Sequence, residues 1–319
     1  MAGNRPSTRT PLSARAAHAV LSCAVAAVAA LALGASPASA SVNLGTVGGL
    51  TYIFDESTAV SAPGYRGGSA ECPSGTFLVG GGAELSGSPA EQRLIDTEPV
   101  RPDAKGGNYW GAGIWNVSGS PKPIDVIAVC RQQKPAYRSN AAKVAVGHAR
   151  TVGLRCPNGT HVSAGGGYAT GIPGHPGAPD GAYVNSSFPF DGRDRGDAPD
   201  DGWRVRIYNV SDTPKAQIHV SAICITEGPR YVTAGPVTMT PGTPSAVLDS
   251  TASACPDSRH ISAGGIRLAK APAANVRPYK IMPYDLGDAD SIPDDALRAA
   301  AAVLAGSTAA KATMTAICM

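Results

Sequence analysis

The 319-residue chain lacks the short signatures of the common hydrolases. It contains neither G-x-S-x-G, the elbow that presents a nucleophilic serine, nor H-E-x-x-H, the zinc-binding pair of metalloproteases. No C-x-x-C pair occurs, which argues against a zinc site. Beyond residues 19–33 there is no long apolar run, so no membrane insertion is expected of the rest. Excess charge is missing too. The chain carries 27 Lys+Arg against 24 Asp+Glu, and three of the arginines, Arg5, Arg9 and Arg15, fall in the first 40 residues, which hold no acid. The remainder balances at 24 against 24, which excludes a broad basic footprint for nucleic acid.

What is present begins with an address. Arg5, Arg9 and Arg15 precede an Ala/Val/Leu run from Ala19 to Leu33, too short to span a bilayer, and Ala38-Ser39-Ala40 forms an A-x-A cleavage site. Residues 1–40 therefore read as a secretory signal peptide, the mature chain starts at Ser41, and the expected location is extracellular. Cys23 leaves with the signal. Six cysteines remain, an even number in an oxidising compartment, which reads as a disulfide framework.

Those cysteines delimit three repeats, 41–135, 136–228 and 229–319. Each opens with C-P-x(7)-G-G, starting at Cys72, Cys156 and Cys255, with glycine pairs Gly81-Gly82, Gly165-Gly166 and Gly264-Gly265. Each closes on an alternating apolar strand ending in Cys130, Cys224 or Cys318. Ile124, Val126 and Ala128, like Ile218, Val220 and Ala222, share one face with their cysteine, and period two means a half-buried strand. A Trp-bearing strand precedes each closing strand in the first two repeats, and the turn residues between them predict a hairpin. In the third repeat the matching stretch, Ala296 to Leu304, has helical composition. Leu297 lies 21 residues before Cys318, as Trp203 does before Cys224, so the repeat predicts a strand there.

The C-P-x(7)-G-G stretch reads as a turn feeding a strand, with Leu78, Val162 and Ile261 inward and Phe77, His161 and His260 outward. Paired glycines weaken a strand and belong where another backbone needs the room. No helix follows them, which disfavours a phosphate loop. Repeat symmetry selects Cys72–Cys130, Cys156–Cys224 and Cys255–Cys318 from the 15 pairings open to six cysteines. Each would close a loop of roughly 60 residues and stabilise by about 4 kcal/mol.

The Cys-Pro-x-Gly-Thr start, the glycines and the closing Ala-Ile/Val-Cys resemble a repeat of secreted actinobacterial proteins and some phage fibre proteins. More remotely the repeat resembles the vitelline membrane outer layer family, which uses Cys-Pro-x-Gly before a glycine-containing strand. That resemblance implies a threefold β-prism and no site. The expected fold is all-β, with three repeats as a pseudo-threefold prism or as three abutting sandwiches.

Candidate chemistry is sparse. His161 and His260 recur at one repeat position, which suits a surface role; His148 and His219 fall in strands and His175 in a loop. Arg195-Gly196-Asp197 spells an adhesion tripeptide that chance also supplies. Repeats two and three share P-[FY]-D-x-x-D-x(5)-D-D, which places Asp191, Asp194, Asp200 and Asp201 in one and Asp285, Asp288, Asp294 and Asp295 in the other. Recurring carboxylates beside Gly192 and Gly287 are donor chemistry for calcium, and they equally suit solvated turns. The functional expectation is a secreted, non-enzymatic protein that binds a cell surface or polysaccharide through its inter-strand loops. A structural envelope or matrix component and an unrecognised secreted hydrolase are the alternatives.

Overall fold

The computed structural model describes residues 41–57, 64–87, 91–100, 108–116, 118, 120–170, 182–192, 196, 198–210, 216–242, 246–248, 253–256, 258–269, 275–287 and 290–319. The expected signal segment lies outside them, as do His175, Asp194, Arg195, Asp197 and Asp288. Among the described residues every long element is a strand.

After β1 (Val42–Val47), repeat one supplies β2 (Leu50–Ser57), β3 (Gly64–Glu71), β4 (Phe77–Leu85), β5 (Gln92–Val100), β6 (Tyr109–Asn116) and β7 (Ile124–Arg131). Repeat two follows with β8 (Ala136–Val144), β9 (Ala149–Arg155), β10 (His161–Thr170), β11 (Ala182–Phe190), β12 (Gly202–Asn209) and β13 (Ala216–Ile225). Repeat three has β14 (Arg230–Met239), β15 (Ala246–Leu248), β16 (Ile261–Ala269), β17 (Val276–Tyr284), β18 (Ala296–Val303) and β19 (Ala310–Cys318).

Each repeat folds into two antiparallel triplets. In repeat one they are β2-β7-β4 and β3-β6-β5, and repeats two and three reproduce the arrangement as β8-β13-β10 with β9-β12-β11, and β14-β19-β16 with β15-β18-β17. The inner faces of the two triplets enclose one apolar core per repeat. The expected hairpin is corrected by this pairing. The Trp-bearing strand and the closing strand, β6 and β7, are each the middle of a different triplet, so the turn between them crosses from one layer to the other. Both read as alternating strands because each buries one side in the same core.

The repeats then join edge to edge. β5 pairs with β10, β11 with β16, and β17 with β4, so repeat three closes on repeat one. Three composite sheets result: β8-β13-β10-β5-β6-β3, β14-β19-β16-β11-β12-β9, and β1-β2-β7-β4-β17-β18-β15. A single parallel bridge, Ala263 to Gly81, links the last two. Each repeat is thus a small sandwich, and the sandwiches share sheets in cyclic order, an arrangement consistent with a three-sided prism.

The pseudo-threefold axis runs where β4, β10 and β16 meet. Each of these strands carries a β-bulge at the same place, at Val79, Ser163 and Ser262. Ser163 Oγ donates to the Val79 carbonyl at 2.9 Å and Ser262 Oγ to the Ser163 carbonyl at 3.3 Å. A Cβ on Gly80 would stand 1.9 Å from the Ser262 carbonyl oxygen, which closes the ring. Three tyrosines lock the same end. Tyr52, Tyr137 and Tyr231 donate to the carbonyls of Ile261, Leu78 and Val162 at 2.7, 2.9 and 2.6 Å, each from one repeat to another.

The glycine pairs divide their work between the two sides of the strand. The first of each pair faces its own core: Cβ atoms on Gly81, Gly165 and Gly264 would strike Trp110, Trp203 and Leu297 at 2.6, 2.3 and 2.2 Å. The second faces the neighbouring repeat: on Gly82, Gly166 and Gly265 they would lie 2.3, 1.9 and 2.4 Å from the carbonyls of Ile281, Thr97 and Ser187. Leu297 thereby holds the place of tryptophan, and the alanines of β18 form a strand because it is buried between β15 and β17. The disulfides Cys72–Cys130, Cys156–Cys224 and Cys255–Cys318 each tie the end of one layer to the other.

Two expectations test this frame. Gly166→Ala should cost about 3 kcal/mol or more, since overpacking against a backbone cannot relax. Gly159→Ala, in open space at φ +77°, should cost about 1–2 kcal/mol; urea melts of the two variants make the comparison. Removing repeat three should leave the unpaired edges of β4 and β11 unable to hold the first two repeats, seen as lost near-ultraviolet dichroism.

Candidate functional site

The sheet β8-β13-β10-β5-β6-β3 presents, on the side away from the cores, the densest group of perturbed ionisable side chains among the described residues. It starts from the alternation of β5. Leu94 and Thr97 turn into the structure, and Asp96 and Glu98 lie on the other side, half-buried. Asp96 stands opposite Tyr168 of β10, which stands opposite His219 of β13. The Tyr168 and His219 rings stack at 4.5 Å with 9° between planes. Tyr65 of β3 donates to Asp96 Oδ2 at 3.0 Å, and Ser221 of β13 donates to Glu98 Oε2 at 3.0 Å.

Glycines make these contacts reachable. Gly113 is opposite Asp96, and a Cβ there would lie 2.2 Å from Asp96 Oδ2 and 2.5 Å from Tyr65 Oη. Gly166 is opposite Ser221 and presses on the backbone of β5, so Glu98 reaches Ser221 across a position without a side chain. The glycine pair that joins the repeats is therefore also part of this floor.

Burial sets the electrostatics. Loss of solvent pushes the Asp96 carboxyl up to about 6 against the pull of the Tyr65 hydrogen bond. Glu98 is pushed up to about 8 by burial first, with Ser221 opposing and the Asp96 charge adding. Burial also raises the Tyr168 phenol, helped by both carboxylates, and lowers His219. Both carboxyls are thereby biased toward the protonated form relative to a free carboxyl, Glu98 more strongly than Asp96.

The other two sheets carry different chemistry at the same places. The positions of Asp96, Glu98, Tyr168 and His219 hold Lys280, Met282, Glu84 and Asp125 on the sheet shared by repeats one and three. There Lys280 pairs with Glu84, and Asp125 is pushed up to about 6 by burial and by Glu84 and Glu56. On the sheet shared by repeats two and three they hold Ser186, Phe188, Arg267 and Thr313. The threefold repeat thus gives three unlike faces rather than three copies of one site.

The candidates of the acidic loops are placed as follows. His161 Nδ1 bonds Asp200 Oδ2 at 2.7 Å, and His260 Nδ1 bonds Asp294 Oδ2. The recurring histidine and the recurring aspartate are thus one pair, tying the start of β10 or β16 to the loop before β12 or β18. Asp285 accepts from the Gly287 amide at 2.5 Å and Asp295 from the Leu286 amide at 2.9 Å. Asp191 is exposed, and Asp201 stands against Gly192. Each of these two aspartates, Asp200 and Asp294, uses its Oδ2 on the histidine. No group of three or more His, Cys, Asp or Glu side chains is placed to hold a metal among the described residues.

One end of the molecule has a cavity of about 750 Å³, lined by Gly48, Thr76, Gln133, Arg259 and Met319 among others. Its charged centre is internally satisfied, Arg131 pairing with Glu227 at 2.8 Å. Among the described residues no helix is long and apolar enough to cross a membrane. The chain matches no protein-family model and none of the curated proteins.

Sequence reasoning placed His219 on a strand but passed over Asp96, Glu98 and Tyr168. Two acids alternating within an apolar strand were the available signal. Their partners lie in the next repeat, across a seam the sequence does not announce.

Because Glu98 ionises near 4.5 when unfolded and near 8 when folded, the fold holds a proton that the unfolded chain releases. That stabilisation is complete below the unfolded value and is lost as pH rises through about 8. The melting temperature should therefore fall from about pH 4.5 to about pH 8 and level off above it, and Glu98→Gln should flatten that slope, as read by calorimetry across pH.

Proposed function

We propose that the protein is a secreted, non-enzymatic glycan-binding protein and that the Asp96–Glu98 face is its sugar site. The observation that carries the reading is the meeting of two neighbouring carboxyl side chains, each hydrogen-bonded to a hydroxyl of another strand, with a stacked aromatic pair. Sugar hydroxyls need acceptors and donors side by side, and a pyranose ring needs an apolar wall. Asp96 and Glu98 supply the first, and Tyr168 with His219 supplies the second. The site lies on a strand face instead of the inter-strand loops expected from sequence. Three disulfides suit an oxidising extracellular environment and a binding platform that must last there.

Pull-down on chitin, cellulose and peptidoglycan, followed by calorimetry with soluble oligosaccharides, tests it. Retention on one matrix is expected, with Tyr168→Ala weakening the dissociation constant at least about tenfold, or 1.4 kcal/mol. Retention that survives both Tyr168→Ala and Asp96→Asn would defeat the assignment.

The same carboxyl pair favours a second reading, a glycoside hydrolase. Two carboxyl-bearing residues two apart on one strand face, whose Cα atoms are about 7 Å apart, with burial raising Glu98 above the ordinary carboxylate range, offer an acid and a base for glycoside cleavage. Release of reducing ends that vanishes in Glu98→Gln would establish turnover. Binding without release would leave the binding reading alone.

A further inference from the structure

The opposite charge is gathered on another face. On the sheet β14-β19-β16-β11-β12-β9, three arginines rise on the side away from the cores: Arg204 and Arg206 from β12 and Arg267 from β16. Arg204 pairs in register with Phe188 and Arg206 with Ser186, which places both arginines beside the seam with β16. The positions of Arg204 and Arg206 are Gly111 and Gly113 on the acidic face, and the position of Arg267 is Tyr168. The same scaffold that clears room for carboxyls on one side plants guanidiniums on another.

Two of these arginines lie over aromatic rings. The Arg204 guanidinium lies 4.0 Å from the centre of the Phe190 ring, and Arg267 lies 5.7 Å from that of Phe188. Stacking fixes the plane of a guanidinium and leaves its N–H edge for an oxyanion. Two adjoining depressions of about 380 and 310 Å³ share Arg204, Arg267 and Phe188. Thr313 and Thr315 add hydroxyls to one of them. Asp191, exposed at its rim, is the one carboxylate among the described residues that line either depression.

We infer that this face is a second binding site, for an anionic polysaccharide whose sulfate, phosphate or carboxylate groups engage Arg204, Arg206 and Arg267. The threonine hydroxyls suit the sugar hydroxyls between the charges. A short sheet face with three cations, on a chain without net basic charge beyond its first 40 residues, does not offer the long basic tract that a nucleic acid backbone follows. The inference is independent of the acidic face, which lies on a different sheet.

The test uses the secreted protein with dextran sulfate as probe and neutral dextran as its control, read by calorimetry. Binding to dextran sulfate alone is expected, weakening as sodium chloride rises from about 50 to 300 mM. Arg204→Ala with Arg267→Ala should weaken it at least tenfold, and Lys at both positions should restore part of the loss, since charge returns without the planar fork. Far-ultraviolet dichroism of each variant separates lost binding from lost fold. The inference is overturned by unchanged affinity in a folded Arg204→Ala, Arg267→Ala variant, by equal binding of neutral dextran, or by equal binding of single-stranded DNA of the same charge.

Discussion

The close approach of β4, β10 and β16 at the pseudo-threefold axis is the contact on which the rest depends. Three strands can meet this tightly only where side chains are absent or hydrogen-bonded to the neighbour. Gly80 does the first, and Ser163 and Ser262 do the second. The bulges at Val79, Ser163 and Ser262 bend each strand, so that it turns one edge to its own repeat and the other to the next. Tyr52, Tyr137 and Tyr231 then bind each repeat to another at the same end. A carbonyl left there without its tyrosine would be a buried acceptor unpaired, which costs more than the bond itself contributes.

That junction makes the repeats interdependent, while each keeps its own core and its own disulfide. The cyclic pairing also covers one edge of each triplet, which limits the edge-to-edge association that exposed β-strands invite. Once closed in this way, the inward-facing positions are fixed by packing and the outward-facing ones are free to vary. The consequence is a division of labour among faces: acidic and aromatic on one, ion-paired on the second, arginine-rich on the third. A chain with nearly balanced charge thus carries strong local fields of both signs.

The candidate sugar site shows how the scaffold and the chemistry share residues. Gly166 exists to admit the backbone of β5, yet the same missing side chain lets Glu98 reach Ser221. The raised carboxyls follow from the same burial: a group drawn into the seam loses water and keeps its proton. Chemistry appears where the fold removes solvent without supplying a counter-charge.

The sequence by itself determined the repeat, the strands and the disulfide partners. Cysteine position, period-two alternation and repeat symmetry are local or counted properties, and they were strong enough to make a strand of the alanines in β18 despite their helical propensity. It also located the glycine pairs and the outward histidines. Only the tertiary structure decided which strands are neighbours. The Trp-bearing and closing strands look like a hairpin because they are adjacent in sequence and share a core, yet each is the centre of a different layer. It likewise decided that the recurring aspartates answer the recurring histidines, and that Asp96 and Glu98 meet Tyr168, His219 and Ser221 across a repeat boundary. Alternation tells a residue which face it takes, and carries no information about which strand lies beside it; register between repeats is set by the bulges and close contacts at the axis, which exist only once all three repeats have assembled.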